Sequence, residues 1–228
     1  MVPSDRLIVA LDRSTRDDLL RLTRDLAGVA GVFKIGLQAF VANGPDLVRE
    51  ITREGHRVFL DLKLHDIPNT VARSVAEAAR LGVAMLTVHA SGGPAMLRAA
   101  ADAAAGSDLL VLGVTVLTAL DAAALGSIGV SGTPEEAVVR LARLARESGL
   151  GGVVASPREI GPIRAACGTG LKIVTPGIRA GGGADDQART LSAREAIAAG
   201  ADWIVVGRPI TDAESPRAAA EAIVREIS

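Results

Sequence analysis

Phe59-Leu60-Asp61-Leu62-Lys63-Leu64-His65-Asp66-Ile67-Pro68-Asn69-Thr70 places two opposite charges inside an otherwise apolar strand. Side chains alternate along a strand, so Asp61 and Lys63 project together while Leu60, Leu62 and Leu64 take the opposite face. A strand apolar on both faces belongs to a parallel sheet covered by helices. Two inward charges are costly there unless they are paired or used. A (β/α)8 barrel gathers such groups in one place, because its chemistry sits at the C-terminal ends of its strands. For these two residues alone, an ion pair that only fixes strand register is the competing explanation.

Moving outward, similar apolar runs recur at intervals averaging about 28 residues, which suits eight βα units. They are Leu7–Leu11, Val32–Gly36, Val58–Leu62, Ala84–His89, Leu109–Leu117, Gly152–Ala155, Lys172–Thr175 and Trp203–Val206. Segments of helical period lie between them. Leu19, Leu22 and Leu26 share one face, and so do Val138, Leu141 and Leu144. Thr133-Pro134-Glu135-Glu136 reads as a capping box with proline at the first helical position, and Ser215-Pro216 opens the last helix the same way. Gly55, Gly82, Gly149 and Gly200 fall where helices should end. Strict alternation over eight units predicts an α/β fold, a single (β/α)8 TIM-barrel domain over residues 1–228, in preference to an open doubly wound sheet. The one long irregular stretch, Gly177–Ala188, follows the seventh run, where a lid over the catalytic face would belong.

Composition narrows the function classes. Of 228 residues, 49% are hydrophobic and 22% charged, enough to bury a core, and the net charge of −1 suggests neither a nucleic-acid nor an anionic-membrane partner. Cys167 is the single cysteine, so an internal disulfide and a multi-cysteine zinc site are both excluded. The N-terminus shows no secretory h-region and no run is long enough to cross a bilayer, so a cytoplasmic protein is expected. Only Lys34, Lys63 and Lys172 are lysines among 25 basic residues. A lysine retained where arginine is otherwise preferred is a candidate for chemistry that needs a proton to leave. His56 reads as loop surface before the third run, while His65 and His89 read as local hydrogen-bonding groups, not metal ligands.

Charges stand at equivalent heights on the first three runs. Asp12 follows the first, Lys34 lies in Val32-Phe33-Lys34-Ile35-Gly36, and Asp61 and Lys63 end the third. After runs seven and eight, barrels commonly hold a phosphate. Here Pro176-Gly177-Ile178-Arg179 and Gly207-Arg208-Pro209 supply a close-approach backbone, a bidentate fork and a proline to start a short helix. A surface ion pair is the alternative for Arg208. There is no P-loop, no G-x-G-x-x-G fingerprint after a strand and no His-rich ligand set, so neither cofactor nor metal is expected.

The run Asp61-x-Lys63-x-x-Asp66-Ile-Pro-Asn-Thr70 resembles the D-x-K-x-x-D-I-P-N-T signature of orotidine 5′-monophosphate decarboxylases. Ala10-Leu11-Asp12, Phe33-Lys34-Ile35-Gly36, Val88-His89-Ala90-Ser91-Gly92-Gly93, Val114-Thr115-Val116-Leu117-Thr118, Thr175-Pro176-Gly177-Ile178-Arg179 and Val206-Gly207-Arg208-Pro209-Ile210 are similar to further family motifs, in order from the first strand to the eighth. The resemblance implies cofactor-independent conversion of orotidine 5′-monophosphate to UMP. It makes Lys63, Asp61, Asp66 and Lys34 catalytic, and makes Asp12, Lys34, Thr70, Thr118, Pro176, Arg179, Gln187, Gly207 and Arg208 substrate-binding. Gln187 matches the glutamine that bridges phosphate and pyrimidine. Other members carry it at the position of Gly181. Thr118 matches a hydroxyl that contacts the base, with capping of the following helix as its competing role. The resemblance also implies a homodimer in which Asp66 and Thr70 serve the neighbouring subunit's site.

Two rivals follow. Mg-dependent phosphosugar decarboxylases and aldolases of the same barrel group share D-x-K-x-x-D, but resemble one another in a metal-binding Glu where this chain has Lys34. A nucleotide-binding barrel without catalysis is the other, and intact Asp61, Lys63 and Asp66 argue against it.

Overall fold

The computed structural model describes residues 2–179 and 191–228. In chain order the elements are β1 Leu7–Ala10, α1 Arg16–Asp25, β2 Val32–Gly36, α2 Leu37–Arg53, β3 Val58–Leu64, α3 Pro68–Arg80, β4 Met85–His89, α4 Gly93–Ala104, β5 Leu110–Val114, α5 Ala122–Ser127 and α6 Pro134–Glu147. They continue with β6 Gly152–Val154, α7 Ile160–Cys167, β7 Lys172–Thr175, β8 Ile178–Arg179, β9 Leu191–Ser192, α8 Ala193–Ala199, β10 Trp203–Val206, α9 Arg208–Thr211 and α10 Pro216–Glu226. β1 to β7 and β10 close into an all-parallel barrel in which β1 pairs with both β2 and β10. The expected (β/α)8 architecture is therefore the observed one, with β10 as the eighth barrel strand.

Alternation along these strands builds two cores. Ile8, Val32, Phe59, Met85, Leu112, Val174, Trp203 and Val205 form a buried cluster of their own, the packed barrel interior. Their neighbours in sequence, among them Val9, Phe33, Leu60, Leu86, Val111, Ile173 and Ile204, join the larger cluster that includes the buried faces of the helices. Each fully buried aliphatic or aromatic side chain contributes about 1.5–3 kcal/mol. The first helical face is buried as expected, at Leu19, Leu22 and Leu26. On α6 the buried face is Ala137, Val138, Ala142 and Ala145, and Leu141 and Leu144 pack only at its margin. Alanine lets that helix sit close to the sheet.

Helix punctuation follows local chemistry. Thr133 accepts from the Glu136 amide while the Glu136 side chain accepts from the Thr133 amide, a reciprocal cap. Gly55, Gly82, Gly149 and Gly200 all have positive φ just past helix ends. α2 is two helical pieces joined at Gly44, whose φ of 66° precedes Pro45.

Three sequence expectations need correction. The fifth strand ends at Val114, not Leu117; just past it the Thr115 amide and hydroxyl both donate to the Val154 carbonyl. Residues 178–179 are not irregular: β8 pairs in parallel with β9, Ile178 opposite Leu191. His56 lies in the loop before β3 as expected, but it is half-buried there and not on the surface, its ring edge-on to Phe33 with centroids 5.3 Å apart.

The third lysine belongs to the opposite end of the barrel. Lys172, at the start of β7, bonds Asp202 at 3.0 Å, and Arg164 reaches the same carboxylate at 2.6 Å. Arg164 also donates to the carbonyls of Gly168, Leu171 and Gly200. Position at the N-terminal face marks this cluster as stabilising scaffold. Among the described residues no helix is long and apolar enough to cross a membrane.

Candidate active site

Parallel registration sets the charges side by side. Ala10 pairs with Lys34 and Gly36 with Asp61, so the ends of β1, β2 and β3 rise together at one mouth of the barrel. There Asp12, Lys34, Asp61 and Lys63 form a chain of alternating sign. The Lys34 ammonium lies 3.0 Å from Asp12 Oδ1 and 3.8 Å from Asp61 Oδ2. The Lys63 ammonium meets both Asp61 oxygens, at 2.9 and 2.8 Å. Lys34 and Asp61 side chains are only 12% and 13% exposed, so each depends on its partner to offset lost hydration. Gly36 makes room for them: a Cβ there would stand 3.0 Å from Lys34 Nζ and 3.1 Å from Asp12 Oδ1.

β3 is distorted where it carries these groups. Its register against β4 shifts between Leu60 and Leu64, and Lys63 takes a φ of 51°, the one positive value outside glycine among the described residues. Strain of this kind persists only where surroundings over-determine it, and it concentrates at functional sites. Thr87 supplies part of that constraint, accepting from the Lys63 amide and donating to Asp61 Oδ1, each at 2.9 Å. Sequence reasoning passed over Thr87, since a threonine in an apolar strand is unremarkable there. Equal parity with His89 on β4 was the available signal.

The remaining predicted residues fall in three groups. Asp66 and Thr70 are exposed on the turn into α3 and its first residues. The Asp66 carboxylate accepts from the next amide, Ile67, at 2.6 Å, and among the described residues no ion pair joins it to Lys63 of its own chain. Thr118 is exposed in the turn after β5. It does not cap α5, whose cap is Asp121 accepting from the Ala124 amide, so the competing role for Thr118 is removed. Where the sequence predicts phosphate binding, Pro176 and Gly177 (φ 77°) follow β7, and Gly207 leads into α9, where Arg208 and Pro209 form the first turn. The backbone of Arg179 lies in β8. Gln187 and most of the Gly177–Ala188 segment fall outside the described residues.

Among the described residues neither His65 nor His89 makes the expected side-chain hydrogen bond; their rings lie 5.4 Å apart and tilted. Burial chiefly, then His65 and Lys63, push the His89 pKa below its ordinary value, favouring the neutral ring. Cys167, at the end of α7, is a buried thiol whose pKa burial raises, as an unreactive cysteine requires.

A mouth built of paired opposite charges, with the glycine-led turn into α9 on the neighbouring strand β10, can hold an anion and act on it electrostatically. The chain matches the family described as orotidine 5′-phosphate decarboxylase / HUMPS over residues 5–223. It is 54% identical over 224 residues to the orotidine 5′-phosphate decarboxylase of Anaeromyxobacter dehalogenans, covering 98% of each chain. It is 52% identical to that of Syntrophotalea carbinolica, covering 98% of this chain and 95% of the relative. The crystal structure of orotidine 5′-phosphate decarboxylase from Lactobacillus acidophilus superposes with a TM-score of 0.88 at 36% identity, over 97% of this chain and 98% of that one. With barrel, charge chain and full-length similarity in agreement, this chain belongs to the orotidine 5′-phosphate decarboxylase / HUMPS family.

Proposed function

We infer that this chain converts orotidine 5′-monophosphate to UMP by removing CO2 from C6 of the pyrimidine. The observation that carries this reading is the alternating chain Asp12–Lys34–Asp61–Lys63 at the barrel mouth. Breaking the C6–carboxylate bond releases CO2 and leaves an electron pair on C6 with no neighbouring carbonyl to delocalise it. Fixed charge must stabilise that pair. Asp61 crowds the substrate carboxylate in the ground state. Lys63, held between the Asp61 oxygens, stabilises the developing charge and then delivers a proton to C6, completing UMP. Lys34 and Asp12 position the ribose hydroxyls and keep the network registered. Gly207, Arg208, Pro176 and Arg179 hold the phosphate, Gln187 bridges it to the base, and Thr118 contacts the base.

The reading carries a homodimer with it. Asp66 and Thr70 sit on an exposed turn whose neighbour Ile67 is 66% exposed, an apolar side chain suited to cover by a second subunit, where Asp66 would meet the partner's site. It also places the enzyme in the cytoplasm, where its single free thiol stays reduced.

The magnesium-dependent reading loses ground to Lys34, whose ammonium stands between the carboxylates of Asp12 and Asp61 that a divalent cation would need. Purified protein should form UMP and CO2 from orotidine 5′-monophosphate at a rate unchanged by EDTA. Activity that vanished on chelation and returned with Mg2+ would move the chain to the phosphosugar class. Binding of UMP without turnover would make it a nucleotide-binding barrel.

A further inference from the structure

We propose that Thr87 is a positioning residue for this decarboxylation, setting the Lys63 backbone and the Asp61 carboxylate through one hydroxyl; the proposal rests on the function inferred above. Between their paired positions β3 advances from Leu60 to Leu64 while β4 advances only from Leu86 to Val88. Residues 61–63 therefore bulge, and Lys63 is pushed to a φ of 51°. A bulge takes main-chain groups out of the ladder. The Lys63 amide would then be left without a partner in a partly buried strand.

Thr87 lies opposite that bulge and is wholly buried. Its Oγ1 accepts from the Lys63 amide at 2.9 Å. Its own proton goes to Asp61 Oδ1, also at 2.9 Å. The directions are not interchangeable, because an amide only donates and an ionised carboxylate only accepts. A hydroxyl is the smallest side-chain group able to serve both at once. The bond to Oδ1 holds the Asp61 carboxylate with both oxygens toward the Lys63 ammonium. Thr87 thus fixes both ends of the reactive ion pair, the lysine through its backbone and the aspartate through its side chain. It acts on the reaction only through those two residues.

Thr87→Val preserves shape and removes both bonds, whereas Thr87→Ser keeps both. Steady-state kinetics with orotidine 5′-monophosphate should show kcat of the Val variant down by about ten- to a hundredfold, the scale of a small misplacement of reacting groups. KM and the Kd for UMP should stay within about threefold of wild type, since phosphate and ribose contacts are untouched. The Ser variant should recover kcat to within about threefold. A purely structural role would lower the melting temperature and the number of UMP-binding sites, but not kcat per site. If the Val variant does not fold, Thr87→Cys, with its weak thiol donor, should show the same loss. A Val or Cys variant with kcat per UMP-binding site within about twofold of wild type, or a Ser variant as impaired as Val, overturns the proposal alone. Wild-type protein without turnover overturns the functional reading and this proposal with it.

Discussion

A lysine held at a φ of 51° costs about 1–2 kcal/mol relative to ordinary strand geometry, so its neighbours must enforce it. The bulge, the Thr87 hydroxyl and the Asp61 carboxylate do so together, aiming the ammonium of Lys63 into the barrel mouth. Replacing lysine by arginine tests whether charge alone is enough, because guanidinium keeps the charge but gives up no proton near neutrality. Lys63→Arg should melt near the wild-type temperature and bind UMP, yet lose turnover by about a hundredfold or more, the usual worth of a placed proton donor. Turnover within about tenfold of wild type would show that Lys63 supplies charge only, and would send the search for a proton donor elsewhere. At this scale much was legible beforehand. Two charges of equal parity in an apolar strand, and a lysine on the neighbouring run, pointed to the pairing that is seen. What parity could not convey is the bulge: alternation assumes an undistorted ladder, and nothing in Asp61-Leu62-Lys63 announces two extra residues or makes Thr87 their partner.

Among the elements, α9 ties the proposed phosphate end to the rest. Arg13, just after β1, donates to the Thr211 carbonyl at 2.9 Å and to Asp212 at 2.6 Å, fastening the far end of that short helix. Arg208 sits at its near end, so truncating it should leave the scaffold in place. Arg208→Ala should lower kcat/KM by about 2–4 kcal/mol, the range for removing one partner of a desolvated charge pair. It should also narrow the preference for the nucleotide over orotidine, which lacks the phosphate. Equal turnover of the two by unmutated protein would show that no phosphate is gripped here. Strands and most helices were readable because apolar runs and caps are local signals. The elements missed depend on pieces far apart in sequence, such as the β8–β9 pair, or on competing local donors, as where Asp121 caps α5 in place of Thr118.

At the scale of the molecule the proposed dimer makes a prediction no monomer shares. Lys63→Ala and Asp66→Asn should each be nearly inactive alone. If Asp66 crosses to the partner's site, mixing the two under subunit exchange regenerates one intact site per mixed dimer, and activity should rise to about a quarter of wild type. No rise after demonstrated exchange would place Asp66 in its own subunit's chemistry or outside the chemistry altogether. The packed interior has a further consequence. Ile8, Val32, Phe59, Met85, Leu112, Val174, Trp203 and Val205 stopper the barrel beneath the charges, so among the described residues the interior is packed and not a bore. The gas set free at C6 cannot drain downward through that hydrocarbon plug. On the proposed mechanism it leaves by the aperture that admitted the nucleotide, and the proton that recharges Lys63 arrives by the same route. Entry, venting and reprotonation are therefore successive users of one doorway.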